Sequence, residues 1–433
     1  MDHEFLRDEQ EQERRRLIRL EIKRKRILSQ RIGLIAIVLV LVLIIALIVN
    51  SCSGNTEKQR VEEDKNNASN TLQEQTKDIK VTLAAVGDIM CYDNQIAAAL
   101  QADGTYDFSQ SFAAVKPYLE NANITVGNLE LNFCGKEAGY KGYPSFNAPE
   151  SLAATLKDCG FDLLQTANTY SIQNGINGLT STIRHLAEQG IQHLGTYHTK
   201  EDKTDDNGVI LRNVNGIRIA FLAYTKGLNN MTLPADAGYA VDVLFEDYST
   251  YYSKINKTQL LKSVQTAKDM DADIIVAMLH WGNEYEIQPL SIQEEIADLL
   301  FKNGVDVILG SHSHEAGPMQ WRTVEVDGRK KQVFMAYSLG NFFSSMDKNT
   351  SQTSLILNLE FTMDGETGDV SISGAEYLPV YISDNGENSS VRYEMLPIRT
   401  AMQNSVFSHM QQTLANALVT LQTNVGAEFD SGK

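Results

Sequence analysis

Polar side chains follow six predicted buried strands, at the point where each strand ends. These ends combine small residues with Asp, Asn, Glu or His: Gly87-Asp88, Gly127-Asn128-Leu129-Glu130, Ala167-Asn168, His280-Trp281-Gly282, Gly310-Ser311-His312-Ser313-His314 and Ser338-Leu339-Gly340-Asn341. In α/β sheets, ligands bind beyond the carboxyl ends of the strands. One such end would carry little weight, but six of them predict a single shared site.

The side chains at these ends are those that bind divalent metal ions. Carboxylate, imidazole and amide groups suit Zn, Mn, Fe or Mg. His312 and His314 are separated by one small residue, so each could ligate a different ion of a pair, and Glu130 could bridge the two. Two ions about 3.5–4 Å apart would clamp the attacking and leaving oxygens of a phosphoryl or similar displacement.

Each of these residues also has a purely structural interpretation. Asp88 could cap a helix, and Asn128 and Asn168 could satisfy the backbone of a turn. His280, which precedes a Trp, could be a packed core histidine. The His-Ser-His segment at 312–314 is harder to explain by packing, because its neighbours are small. The order and number of the strand ends favour a site over separate structural roles.

The elements that must position these groups alternate between strands and helices. The predicted strands cover residues 81–86, 123–127, 161–166, 217–224, 272–279, 305–310, 332–337, 355–361 and 370–377. The predicted helices cover residues 94–102, 151–158, 179–189, 257–270, 292–303 and 400–421. This alternation is typical of an α/β domain, and the late run of strands predicts a mixed sheet that closes it.

An unbroken apolar run of 18 residues occupies positions 32–49. As a helix it would be about 27 Å long, close to the hydrocarbon thickness of a bilayer. Basic residues are concentrated before the run, so the positive-inside rule predicts a cytoplasmic N-terminus and an extracellular main domain in a single-pass cell-membrane protein. We therefore predict a cytoplasmic charged segment at 1–31, a transmembrane signal anchor at 32–50, a flexible linker at 51–79, a main domain at 80–400 and a C-terminal amphipathic helix and tail at 401–433.

Two alternatives to a retained anchor stay open. The run could be a cleaved signal peptide, although the preceding segment and the run itself are long for that role. Cys52 could be a lipid-attachment cysteine, although Asn50 fits such a site poorly. All three interpretations place the main domain outside the cytoplasmic membrane.

The formal net charge is −17. Residues 1–31 carry 10 basic and 7 acidic side chains, so the other 402 residues hold a net −20. A body this acidic repels a phosphate backbone, which argues against a nucleic-acid partner. A polyanionic ligand would need a local basic patch or bridging metal ions, and the candidates for such a patch are Arg184, Arg212, Arg218, Lys226, Arg322, Arg329, Lys330 and Lys331.

The four cysteines exclude a disulfide scaffold and a four-thiolate zinc module. Three of them, Cys91, Cys134 and Cys159, lie in the predicted main domain. We expect them to be small buried residues. Cys91 and Cys134 each follow a strand-end motif closely, so a disulfide between them is the alternative.

Seven segments in this order resemble the CapA family, the poly-γ-glutamate capsule biosynthesis proteins, whose domain is similar to calcineurin-like metallophosphatases. The segments are 86–90 (VGDIM), 127–130 (GNLE), 166–168 (TAN), 216–225 (GIRIAFLAYT), 280–285 (HWGNEY), 310–314 (GSHSH) and 337–342 (YSLGNF). The resemblance runs from about residue 82 to about residue 397. It implies a four-layer α/β/β/α sandwich with a metal centre at one sheet edge.

The resemblance also assigns roles to residues. It implies two divalent ions, of Mn, Fe or Zn, held by Asp88, Glu130, Asn168, His280, His312 and His314. Asp88 and His314 would favour one ion, Asn168, His280 and His312 the other, and Glu130 would lie between them. His280, His312, His314 and Tyr170 are the implied catalytic residues. Trp281, Glu284, Tyr285 and Asn341 would either support the metal ligands or bind the substrate.

The chain departs from the family pattern next to Asn168. The family usually has Ala-Asn-Asn-His followed by Asp and Gly, whereas residues 167–175 read ANTYSIQNG. The histidine position is Tyr170 and the aspartate position is Gln173. A phenol with a pKa of about 10 is a poor acid–base group at neutral pH. A slow enzyme, a different reaction and a binding protein are therefore the three alternatives at this point.

Three functions follow from these observations. The first is a membrane-anchored, extracytoplasmic, metal-dependent hydrolase or transferase that serves capsule or envelope polymer biosynthesis, with a membrane polymer synthase as a partner. The second is a non-catalytic, membrane-tethered module that binds an envelope polymer or the synthase. The third is a lipid-linked solute receptor, which would depend on Cys52.

Overall fold

The computed structural model describes residues 77–204, 206–326, 328–348 and 350–432. The predicted cytoplasmic segment, the predicted anchor and the predicted linker up to residue 76 lie outside the described residues. Within the described ranges, no helix is both long enough and apolar enough to cross a membrane.

The described chain forms a mixed α/β fold with two sheets, as the sequence predicts. The eight-stranded sheet has the order β14-β13-β12-β1-β2-β3-β4, and β11 pairs with the end of β1. Its strands are β1 (Ile79–Ile89), β2 (Ile124–Leu129), β3 (Leu163–Gln165), β4 (Gln192–Leu194), β11 (Asn341–Phe343), β12 (Thr353–Met363), β13 (Val370–Asp384) and β14 (Tyr393–Pro397).

The six-stranded sheet has the order β5-β6-β7-β8-β10-β9. Its strands are β5 (Ile210–Val214), β6 (Ile217–Thr225), β7 (Ile274–His280), β8 (Val307–Ser311), β9 (Met319–Val326) and β10 (Arg329–Ala336). The α-helices are α1 (Asp93–Ala99), α2 (Ser109–Phe112), α3 (Lys116–Glu120), α4 (Ser151–Asp158), α5 (Gly175–Glu188), α6 (Lys200–Thr204), α7 (Lys257–Asp269), α8 (Ser291–Lys302), α9 (Ile398–Gln403) and α10 (Gln411–Leu421).

Three buried apolar clusters show how these elements pack. One cluster joins side chains of both sheets, for example Val126 of β2 and Val276 of β7, so the sheets face each other. A second cluster packs the other face of the eight-stranded sheet against α1 to α5. A third packs the other face of the six-stranded sheet against α7 and α8, through residues such as Leu260 and Ile296. Helices therefore cover the outer side of each sheet.

Parallel pairing brings the polar strand ends to one edge. β1, β2, β3 and β4 are parallel neighbours, and so are β6, β7, β8 and β10. Asp88 lies beside Asn128 on one side and beside Asn341 on the other. In the second sheet, His280 pairs in register with Ser311. The carboxyl ends of both sheets thus supply residues to the same place.

The end of β1 requires a glycine because the backbone of another segment lies against it. A Cβ atom on Gly87 would lie 1.9 Å from the carbonyl oxygen of Gly340. The backbone N–H of Asp88 donates to that carbonyl at 2.9 Å. This close approach holds the segment before Asn341 beside the carboxylate of Asp88.

The predicted elements differ from the observed ones mainly at the edges and at the C-terminus. Helix α4 has the predicted bounds, whereas the sequence analysis missed β4, β5, β9, β11 and β14. The predicted continuous helix over 400–421 is wrong. It is broken at Asn404, which is extended and whose side chain accepts from the N–H of Val406. Asn favours such local bonds over helix continuation.

The cysteines of the main domain are free, and Cys91 and Cys159 are buried. The alternative of a disulfide between Cys91 and Cys134 is therefore wrong. Burial raises the pKa of Cys134 to about 11, so this thiol is protonated at neutral pH.

Candidate metal centre

Asp88 lies at the centre of the polar edge and is fully buried. Its Oδ1 accepts from Asn128 Nδ2 at 2.7 Å, and its Oδ2 accepts from the backbone N–H of His312 at 3.3 Å. The same Oδ2 lies 3.2 Å from His314 Nδ1. One carboxylate thus connects β1, β2 and the loop after β8.

The electrostatics of this contact favour an ionised Asp88. Burial alone would raise its pKa, but the hydrogen bond and positive charge of His314, with smaller effects of His280 and Asn128, outweigh burial and lower it. In the same contact, burial would lower the pKa of His314, but Asp88 and Glu130 raise it to about 9. In the metal-free protein these two groups form a buried ion pair.

Glu130 follows β2 and is fully buried. Its Oε1 lies 3.3 Å from His280 Nε2, yet neither carboxylate oxygen has a hydrogen-bond partner among the described residues. Burial, assisted by the negative charge of Asp88, raises the pKa of this carboxyl group. A buried carboxyl group without hydrogen bonds is unfavourable, so this position calls for a positively charged ligand.

His280 ends β7 and is also fully buried. Its Nδ1 lies 3.0 Å from Ser311 Oγ and 3.3 Å from Asn128 Nδ2. Its Nε2 lies 2.8 Å from the hydroxyl of Thr169, which is also 3.3 Å from His312 Nδ1. Both ring nitrogens therefore have polar neighbours, and the ring position is fixed.

The loop after β8 carries both remaining histidines in an unusual backbone conformation. His312 has φ 97° and His314 has φ 61°. This left-handed region is uncommon for residues other than glycine, and such conformations cost about 1–3 kcal/mol each. The bond from the N–H of His312 to Asp88 holds the loop in place, as does the bond from the N–H of Tyr285 to the carbonyl of Ser313 at 2.7 Å.

His312 differs from His314 in its expected charge. Burial, together with the charges of His280 and Lys226, lowers the pKa of His312 well below its usual value. The imidazole is therefore neutral at neutral pH and has a free lone pair. A neutral imidazole is the form that binds a metal ion.

Two groups of three ligand atoms lie close enough together to hold a metal ion. One group is Glu130, His280 and His312; the other is Asp88, Glu130 and His314. Within each group the ligand atoms lie within 4.8 Å of one another, and all five residues are buried. The unpaired oxygens of Glu130, which belongs to both groups, and the mixed carboxylate–imidazole donors fit two divalent ions.

Asn168 lies at the edge of the first group. Its Nδ2 donates to Asn128 Oδ1 at 3.1 Å and to the carbonyl of Leu129 at 2.7 Å, and its Oδ1 accepts from the N–H of Tyr170 at 3.1 Å. The structure therefore places this residue where the sequence predicts. Its side chain is engaged in positioning the loop, and its role as a ligand stays a prediction.

Tyr170, the predicted acid–base replacement, lies in the apolar cluster under the helices. Its ring centroid is 4.6 Å from that of Phe146, in an edge-to-face arrangement. Burial, together with the negative charges of Glu130 and Glu284, raises its pKa further above the usual value of a phenol. The structure thus makes Tyr170 an even weaker proton donor than its residue type suggests.

The predicted substrate-binding residues occupy different places. Trp281 is 2% exposed and its indole N–H donates to the carbonyl of Tyr337 at 3.0 Å, and its role in substrate binding stays a prediction. Asn341 is buried, with its Oδ1 3.0 Å from His314 Nδ1, so it orients this ring. Glu284 is exposed, and the half-buried Tyr285 ring lies 5.9 Å from that of His314.

Most of the basic candidates lie away from the centre. Arg218, at the start of β6, pairs with Asp273 at 3.2 Å, and Lys331 pairs with Asp306 at 2.5 Å. Lys226 is the exception, because it follows β6 and its backbone N–H donates to the carbonyl of His280 at 2.8 Å.

Two residues at the centre were not assigned a role by the sequence analysis. Asn128 contacts Asp88, His280 and Asn168, and Thr169 lies between two histidines. The strand end at 127–130 signalled Asn128. Thr169 carries no sequence signal, because its role depends on where the two histidines meet.

Residues 82–346 match the family described as bacterial capsule synthesis protein PGA_cap. The chain belongs to this family. It is 30% identical over 272 residues to the capsule biosynthesis protein CapA of Bacillus anthracis, a match that covers 61% of this chain and 59% of that protein. It is 25% identical over 290 residues to the PGA biosynthesis protein CapA of Bacillus subtilis strain 168, a match that covers 65% of this chain and 67% of that protein. The predicted family resemblance is confirmed.

Solved structures with a similar fold include a 5'-nucleotidase precursor of Thermus thermophilus. It shares 12% identity and a TM-score of 0.42, and the match covers 80% of this chain and 59% of that one. A phosphatase of Mycoplasma pneumoniae shares 11% identity and a TM-score of 0.40, over 70% of this chain and 95% of that one. The assignment of the metal centre rests on the residues of the present chain.

Proposed function

We propose that this capsule-synthesis family member is a metal-dependent hydrolase or transferase that acts on a phosphoryl or related ester bond during assembly of a capsule or envelope polymer of the poly-γ-glutamate type. The observation that carries the proposal is Glu130. Its two unpaired, buried oxygens lie in both groups of potential ligands. Two divalent ions held there would act as Lewis acids on the oxygen atoms of the reacting group.

The chain's own residues would hold and orient the reacting groups. Asp88 and His314 would hold one ion, and His280 and His312 the other, with Glu130 shared. Asn128 and Asn341 fix the carboxylate and imidazole rings by hydrogen bonds, and fixed ligands of this kind reduce reorganisation during reaction.

The experiment that tests this function combines metal analysis with turnover. The full-length chain, reconstituted with Mn²⁺, should bind about two equivalents of metal and hydrolyse bis(4-nitrophenyl) phosphate. His312→Ala should lower kcat by about 10²-fold or more, whereas His185→Ala, on the outer helix α5, should not. Binding of less than about half an equivalent after reconstitution would contradict the proposal.

A second candidate function is a non-catalytic module that binds an envelope polymer or its synthase. The observation that favours it is Tyr170, whose buried phenol stands where the family has an imidazole and is a poor proton donor. A binding module would take up metal but show no phosphodiesterase turnover above that of the His312→Ala variant.

We also propose that the chain is a single-pass cell-membrane protein with its main domain outside. The apolar run at 32–49 and the basic residues before it support this location. Protease added to intact cells should degrade the main domain and spare residues 1–31. Release of the protein from membranes by Cys52→Ser would instead favour lipid attachment.

A further inference from the structure

A second cavity lies beside the metal centre, on the outer face of the six-stranded sheet. It has a volume of about 200 Å³, and aromatic and aliphatic side chains line most of it, including Phe245, Tyr251, Tyr252, Ile292 and Ile296. Trp281 also lines it. Successive side chains of a strand point to opposite faces, so the ring of His280 reaches the metal centre while the next residue reaches this cavity.

Among the described residues that line the cavity, Lys226 is the one that carries a charge. Its ammonium group donates to the carbonyl of Gly282 and to Asn283 Oδ1, and its Nζ lies 5.1 Å from the ring centroid of Tyr252. Both acceptors are neutral, and the described residues place no carboxylate within ion-pair distance of this ammonium. The carboxylate of Glu284 acts on this ammonium only from beyond ion-pair distance, and a half-buried cation without a paired carboxylate favours binding of an anion.

The cavity adjoins the strand end that supplies His280 to the metal centre. The backbone N–H of Lys226 donates to the backbone carbonyl of His280 at 2.8 Å, so the backbone of this lysine contacts that of a potential metal ligand. An anion bound at Lys226 would therefore lie beside the strand end that carries His280.

We propose that Lys226 and this cavity form a subsite for an organic anion, in which the ammonium pairs with a carboxylate or phosphate and the aromatic walls hold its apolar stem. A cavity of roughly 150 Å³ can admit benzene, so the volume here is sufficient for one ring-sized stem. The proposal deepens the proposed function, because the anion would be part of the substrate whose ester bond lies at the metal centre. The subsite would explain how a protein with a strongly acidic body binds an anionic ligand.

Binding is tested in the metal-free, full-length chain with Trp321→Phe as background, so that Trp281 reports on the cavity by fluorescence quenching. The probes are 4-nitrobenzoate and 4-nitrophenyl phosphate, with neutral 4-nitrobenzamide as their matched control. At least one anion should bind about tenfold tighter than the amide, as expected for a hydrogen bond to a charged group. The probe that shows this preference distinguishes a carboxylate from a phosphate ligand.

Lys226→Met keeps the length of the side chain and should bring the affinities of anion and amide within about threefold of each other. Lys226→Arg keeps the charge and should preserve the preference. The matched control is Lys257→Met on α7, since this exposed lysine pairs with Glu295 at 3.2 Å and does not line the cavity. Circular dichroism checks that each variant is folded.

Two results would overturn the subsite: equal binding of anions and amide by the parent chain, or an anion preference that survives Lys226→Met. Neither result depends on hydrolysis, because no metal is present. Conversely, loss of phosphodiesterase activity with intact anion binding would refute the proposed function and leave the subsite standing.

Discussion

Replacing Glu130 with Gln should have opposite effects on the metal-free and the metal-loaded protein. Without metal, burial raises the pKa of Glu130, which means that the folded state disfavours the charged carboxylate. Glutamine is close in shape and uncharged, so the metal-free variant should be at least as stable as the metal-free parent. With metal, the variant lacks the one ligand that both groups share.

The magnitude follows from the two groups of ligands. An ion at about one hundred times its Kd stabilises the folded state by about 2.7 kcal/mol, so two ions would contribute about 5 kcal/mol. An unfolding entropy of about 2.1 cal/mol/K per residue over residues 77–432 converts 1 kcal/mol into about 1.3 °C. Mn²⁺ should therefore raise the Tm of the parent by about 7 °C, and that of Glu130→Gln by less than about 1 °C.

The assay is thermal unfolding with and without Mn²⁺, followed by circular dichroism. Glu315→Gln is the matched control, because Glu315 is a buried carboxyl group with a raised pKa that accepts hydrogen bonds from Thr350 and belongs to neither group. The control should keep the full Mn²⁺ increment, whatever its effect on the baseline.

Two outcomes would refute this reasoning. If Glu130→Gln keeps the Mn²⁺ increment of the parent, the carboxylate is not a shared ligand. If its metal-free Tm falls by several degrees, the attraction between Glu130 and His280, whose Nε2 lies 3.3 Å from Oε1, outweighs the cost of burying the carboxylate.

Three further predictions concern the same edge of the sheets. Asp88 and Glu130 outweigh burial and raise the pKa of His314 to about 9, so below that pH a metal ion must displace a proton from this imidazole. Mn²⁺ affinity, measured by calorimetry, should therefore rise about tenfold per pH unit from pH 6 to 8. A flat pH profile would contradict this. The raised pKa of His314 also stabilises the metal-free fold. This contribution is complete below about pH 6.5, the pKa of the histidine in the unfolded chain, and is lost as the pH rises through about 9. Tyr170→His should raise phosphodiesterase kcat by about tenfold or more, whereas Tyr170→Phe should change it by less than about threefold; equal rates in both variants would exclude a role for this position in proton transfer. Gly87→Ala should lower the free energy of unfolding, measured in urea, by about 3 kcal/mol, because the new Cβ would lie 1.9 Å from the carbonyl oxygen of Gly340. The control Gly374→Ala should lower it by less than about 1 kcal/mol, because its Cβ would have an ordinary 3.5 Å contact.

Much of the centre could be predicted before any coordinates. The strand ends carrying Asp88, Glu130, His280, His312 and His314 converge because parallel neighbours bring their carboxyl ends to one edge. The short and edge strands were missed because three to eight residues give little periodicity. The break at Asn404 was missed because one Asn that can bond to the nearby backbone is a weaker sequence signal than the helical pattern around it.

Residue order and residue type were enough to establish the α/β alternation, the acidic charge and the kinds of metal ligand, since strand periodicity, net charge and donor chemistry are local properties of the chain. Three facts needed the folded chain: Thr169 lies between His280 and His312, Trp281 lines a separate cavity, and Lys226 alone of the eight basic candidates lies beside the centre. The physical reason is that these facts depend on distances between segments far apart in the chain, and sheet register and loop conformation set those distances.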